Sequence, residues 1–118
     1  MRKASPAGAM VYIVAPADGA VVTSPVRVVF GLKGAGVAPA GVDLPNTGHH
    51  HLLVDTSLSS FDQPIPADAQ HMHFGLGQTE TQLELPPGQH TLQLVLGDAT
   101  HTPHDPPVMS AVITITVE

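Results

Sequence analysis

The sequence predicts an all-β domain, a single antiparallel β-sandwich of the immunoglobulin or fibronectin type with about seven strands. Three observations carry this. Twelve Pro and eleven Gly are scattered through the 118 residues and leave no window for a long amphipathic helix. Short runs rich in Val, Leu and Thr alternate apolar and polar side chains, the period of a strand with one buried face. Turn-forming clusters separate these runs at regular intervals, as in sandwich folds. The length suits one hydrophobic core and the apolar share of 42% is enough to fill it.

Residues 1–9 (MRKASPAGA) have no apolar stretch and read as a flexible leader, so the His-rich sandwich domain is assigned to residues 10–118. Residues 10–15 (MVYIVA) form the first strand, closed by the turn formers Pro16, Asp18 and Gly19, and residues 20–22 continue it briefly before Ser24 and Pro25. In residues 26–32, Val26, Val28 and Phe30 share one face and Arg27 takes the other. Residues 33–47, with Gly34, Gly36, Pro39, Gly41 and Pro45, are a loop long enough to be functional or disordered. Residues 48–55 (GHHHLLVD) follow. Leu52 and Val54 mark the even face as the core face, so His50 points inward and His49 and His51 outward together. Residues 71–74 repeat the parity, with Met72 and Phe74 inward and His71 and His73 outward.

Residues 79–85 (TETQLEL) place Glu80, Gln82 and Glu84 on a solvated face, typical of an antiparallel sheet wet on one side. Pro86, Pro87 and Gly88 turn the chain into residues 89–96, where Leu92, Leu94 and Leu96 line one face and His90 stands at its end. Residues 99–107 form a second long loop. Residues 108–117 close the domain, Met109, Ala111, Ile113, Ile115 and Val117 alternating with Ser110, Thr114 and Thr116.

Composition excludes several functions. Ten acids against four bases (Arg2, Lys3, Arg27, Lys33) give a net charge of −6 and no basic stripe, which argues against nucleic acid and anionic lipid as partners. No apolar run approaches the ~20 residues of a membrane span. Cysteine is absent, so neither a disulfide framework nor a thiolate metal site is available. There is no Gly-x-Ser-x-Gly elbow and no HExxH, and GLGQTE (residues 75–80) lacks the third glycine of a phosphate loop. No catalytic or organic-cofactor residue is assigned, and nothing specifies a protein partner or an oligomeric state.

The histidines are the compositional anomaly: eight of them, seven lying in residues 49–51, 71–73 and 101–104. Side chains at i and i+2 of a strand stand about 6.6 Å apart on one face, close enough to converge on one ion. The predicted metal ligands are therefore His49, His51, His71 and His73, with His101 and His104 nearby in a Pro-bounded loop. An all-nitrogen set suits Cu(II), Zn(II) or Ni(II), Cu(II) binding most tightly. Asp55, Asp98 and Asp105 are available to orient the imidazoles or to ligate. His50 and His90 fall on core faces and read as structural, paired with backbone or with each other. A proton-driven switch is a further reading of so many groups with an ordinary pKa near ~6.5.

The motifs PADGAVVTSP, GVAPAGVDLPNTGHHHLLVD, PIPADAQHMHFG, QTETQLELPPGQHTLQLVLGD and HTPHDPPVMS, in this order from Val11 onward, resemble an uncharacterised family of exported bacterial domains, a domain of unknown function. The resemblance implies export to the periplasm or cell surface and brings no activity with it. A looser likeness is to the copper and zinc superoxide dismutases, which share the sandwich and use an HxH pair, although this chain has neither their disulfide nor their ligand spacing. The functional expectation is an exported protein that binds copper(II) or zinc for sequestration, delivery or sensing. The alternatives are an interaction module whose histidines are structural and a copper redox enzyme.

Overall fold

The computed structural model describes residues 2–118. Among the described residues there is no helix. The described residues form nine strands, β1 (Met10–Ala15), β2 (Val21–Val22), β3 (Val26–Lys33), β4 (Gly36–Val37), β5 (Thr47–Val54), β6 (His71–His73), β7 (Glu80–Leu83), β8 (Gly88–Gly97) and β9 (Ile113–Val117). They form a three-stranded sheet, β1-β3-β7, and a six-stranded sheet, β2-β9-β8-β5-β4, with β6 also paired to β5. The all-β expectation holds. The strand count exceeds seven because the loops after β1 and β3 each contribute a two-residue strand, and both of these, β2 on β9 and β4 on β5, pair in parallel rather than antiparallel.

Strand parity fills the space between the sheets. Val11, Val28, Phe30 and Leu83 of the smaller sheet share one apolar cluster with Leu52, Val54, Leu92, Leu94, Leu96 and Ile115 of the larger. Met72 packs against this cluster, facing away from the histidines that flank it. The opposite face of β5, expected to be solvated, is instead covered. Leu53 and Val95 pack with Ile65, and Leu58 and Met109 close over them, so the segments after β5 and β8 fold back across the sheet. Residues 48–54 are consequently buried on both faces, as the uninterrupted run HHHLLV permits.

One further segment differs from expectation for a local reason. The last strand begins at Ile113 rather than at residue 108. There the Ser110 hydroxyl accepts the Leu94 N–H (2.8 Å), standing where a backbone carbonyl would continue the ladder. Near the start of the chain, Ala4 bridges Asp105, Ser5 N–H donates to the Asp105 carbonyl (3.1 Å), and the Arg2 guanidinium donates to the His104 carbonyl.

His90 pairs with Asp55 rather than with His50. Its Nδ1 meets Asp55 Oδ2 at 2.7 Å and its Nε2 meets the Pro86 carbonyl at 2.8 Å. Both partners are acceptors, surroundings that favour the doubly protonated ring. The Asp55 hydrogen bond, helped by Pro86, raises its pKa. Asp55 also accepts the Thr91 N–H (2.9 Å) and turns the chain at φ 56°, which clamps the end of β5 to β8. A raised histidine pKa contributes stability that is complete below the unfolded value near ~6.5 and disappears as pH rises through the folded value. Asp55→Asn should therefore lower the melting temperature more at pH 6 than at pH 9, which melts at the two pH values will show.

Candidate metal centre

Three elements bring histidines together on the covered face of β5. The strand period places His49 and His51 side by side there, their rings 4.5 Å apart. The β5–β6 register sets His73 opposite His51, rings 4.4 Å apart and edge to face. His101 arrives from the turn after β8. Asp98 builds that turn: its Oδ1 accepts the N–H groups of Thr100 (2.9 Å) and Thr102 (3.0 Å) and the Thr100 hydroxyl (3.0 Å). Burial alone would raise the Asp98 pKa, yet the donors from Thr102 and Thr100 outweigh it and hold the carboxyl below its ordinary value. His101 itself adopts φ 64°, a left-handed conformation uncommon outside glycine, and its carbonyl is fixed by the Ile65 N–H (2.8 Å).

The result is a focus of three ring nitrogens. His49 Nε2 and His51 Nε2 lie 3.0 and 3.3 Å from His101 Nδ1, and one ring nitrogen of each of the three histidines falls within 4.8 Å of the others. Two nitrogens bound tetrahedrally to one ion at about 2.0–2.1 Å stand about 3.3 Å apart, so the spacing fits a metal. His49 and His51 are 0% exposed, and His101 is partly exposed. Burial first, then the neighbouring imidazoles, pushes the His49 pKa down to about 4 and that of His51 down to about 2, and burial also lowers His101. All three are neutral at pH 7, the protonation state that ligation requires. The Nδ1 atoms of His49 and His51 are buried and have no hydrogen-bond partner among the described residues. The fold leaves them so while it makes the other nitrogens converge.

A family model described as Domain of unknown function (DUF4399) matches residues 28–118, which include all eight histidines. The chain belongs to this family. No curated protein and no solved structure matches it. The expected kinship with an uncharacterised domain family is thus borne out, and within this DUF4399 domain the focus uses one histidine pair from β5 and one histidine from the segment after β8.

The remaining histidines of the DUF4399 domain stand differently. His73 borders the focus, 4.6 Å ring to ring from His101, with its Nε2 2.6 Å from the Pro66 carbonyl. His71 shares the strand but lies outside the three-nitrogen group. Its Nδ1 meets Asp68 Oδ1 at 2.7 Å, a hydrogen bond that also lowers the Asp68 pKa. His104 is outside too: it is buried beside the surface cavity formed by Lys3, Pro6 and residues 43–47, and burial lowers its pKa. His50 faces the main core, 5.1 Å from the Phe30 ring, with neither nitrogen hydrogen-bonded and its pKa pushed down to about 4 by burial. Of the three acids considered as ligand partners, Asp98 shapes the His101 turn, Asp55 holds His90, and Asp105 stands 3.7 Å from the Arg2 guanidinium.

One residue of the site was not singled out as functional in the sequence. A Cβ on Gly97 would lie 2.4 Å from His51 Cε1 and 2.9 Å from its Nδ1, so the imidazole occupies the space that glycine leaves open. The only sequence signal is a glycine closing a leucine-rich strand. Gly97→Ala should displace His51 from the focus, costing about 1–3 kcal/mol by overpacking. Denaturant titration would read that cost, and metal titration should show weakened uptake in the same variant.

Proposed function

We propose that this domain binds one transition-metal ion, copper(II) or zinc, through His49 Nε2, His51 Nε2 and His101 Nδ1, and that it is an exported protein serving sequestration, delivery or sensing of that ion. The observation that carries the reading is the convergence of three neutral imidazole nitrogens at metal-compatible spacing on one buried face. Three nitrogen donors leave a fourth coordination position open, the arrangement in which an ion can be exchanged. Borderline nitrogen donors favour Cu(II) and Zn(II) over the hard ions Mg(II) and Ca(II), which take oxygen. Export rests on the family resemblance of the motifs. No helix among the described residues is long and apolar enough to cross a membrane.

The test is metal analysis and calorimetric titration of untagged protein at pH 7.5. Uptake of one equivalent of Cu(II) or Zn(II), with Ca(II) and Mg(II) failing to compete, is the expected result. If neither metal is taken up, the 3.0 Å contact of His49 and His101 is an N–H···N hydrogen bond inside a structural cluster, and the reading is wrong.

A further inference from the structure

We propose that His73 is the exchange ligand of this centre, the group through which an ion reaches the three-nitrogen focus and leaves it, rather than a resident ligand. The inference rests on the metal reading above and assigns a role to a residue that lies outside the focus itself.

Four observations carry it. First, the partner of His73 Nε2 is a carbonyl, that of Pro66, so this nitrogen must be the one that bears the proton. In the neutral ring Nδ1 is then an unprotonated donor, able to accept a metal without any proton leaving. Second, His73 is adjacent to the focus without joining it: its ring lies 4.4 Å from that of His51 and 4.6 Å from that of His101, yet neither of its nitrogens belongs to the group within 4.8 Å. Third, His49 and His51 are fully buried, whereas His73 and His101 keep partial exposure, so solvent reaches the cluster on their side. Fourth, the two partly exposed members are held differently. His101 sits in a turn fixed by Asp98 and Ile65. His73 lies on a strand of three residues whose ladder partner is β5, and short edge elements open most readily.

Transfer by this route is a succession of ligand exchanges. A bond from the ion to His73 Nδ1 forms as one to a water or carrier ligand breaks, and bonds to the focus form as that to His73 breaks. Release is the reverse.

The test is stopped-flow mixing of Cu(II)–glycine complex with the protein, and of Cu(II)-loaded protein with EDTA, for wild type, His73→Leu and His73→Asn. Uptake and release should both slow by about tenfold or more. The dissociation constant should stay within about threefold and the visible Cu(II) band should not move, since rates change together and the resident ligands are intact. Unchanged rates in whichever variant melts like wild type overturn the proposal. So does a dissociation constant weakened by about tenfold or more with a shifted band, which would make His73 a resident ligand. Failure of the wild-type protein to bind Cu(II) at all would instead sink the metal reading, and it is recognisable without either variant.

Discussion

Metal-free protein should lose stability steeply as pH falls from about 6.5 towards 4.5. His49 and His50 are held near 4 and His51 near 2, in each case chiefly by burial, whereas in the unfolded chain each titrates near ~6.5. Throughout that window the unfolded state binds more protons, so unfolding free energy rises with pH and falls with acid. Each such histidine contributes up to about 1.4 kcal/mol per pH unit, and the three together about 4 kcal/mol per unit near pH 5. A domain of ordinary stability, about 5–15 kcal/mol, is exhausted within about one to four units at that slope. The His90–Asp55 pair does not oppose the trend, because below ~6.5 the ring is protonated in both states. Urea titrations at pH 7.5, 6.5, 5.5 and 4.5 would measure the slope. His50→Leu, which removes a buried ring with two unpaired nitrogens, should flatten it by about one histidine's share and raise stability at neutral pH. A profile flat between pH 7 and 5 would contradict the burial of these rings.

His101→Gly should separate ligation from folding. The backbone at His101 sits at φ 64°, where a side chain costs about 1–2 kcal/mol that glycine avoids; this offsets the lost contacts with His49 and His51, so the metal-free variant should stay close to wild type in stability. Metal affinity should nevertheless fall by about a hundredfold or more, since one of three converging nitrogens is gone; loss of a mere supporting partner already costs about 10–100-fold. His71→Ala is the control. Its nitrogen is engaged by Asp68 outside the focus, and affinity should remain near the wild-type value. Parallel calorimetric titrations of the two variants decide between them, and equal losses in both would remove His101 from its special position.

Much of this arrangement is legible in the sequence because a strand has a period of two. The alternation of residues 48–54 and 71–74 separates His50 and Met72 from His49, His51 and His73 before any tertiary contact is known, and the structure keeps that division. What alternation does not reveal is that the outward face of β5 is covered: the cover is Ile65, Leu58 and Met109, contributed by segments whose spacing carries no strand signal. Nor does it tell His71 from His73. That difference comes from Asp68, three residues before His71, and from the Pro66 carbonyl that receives His73. His101 and His104 look equivalent in a loop. Asp98 folds the first into the cluster, while the Arg2 guanidinium holds the second by its carbonyl and the backbone of residues 3–5 holds the neighbouring Asp105. The pairing of Asp55 with His90, 35 residues away, is likewise a consequence of the β5–β8 register and not of any local motif.

The most direct test of the central claim is an anomalous difference map from a crystal soaked with one equivalent of zinc and measured on both sides of the zinc edge. A single peak about 2.0–2.1 Å from His49 Nε2, His51 Nε2 and His101 Nδ1 is the predicted result. A map with no peak among these three nitrogens, or with its peak at His71 or His104, would contradict it.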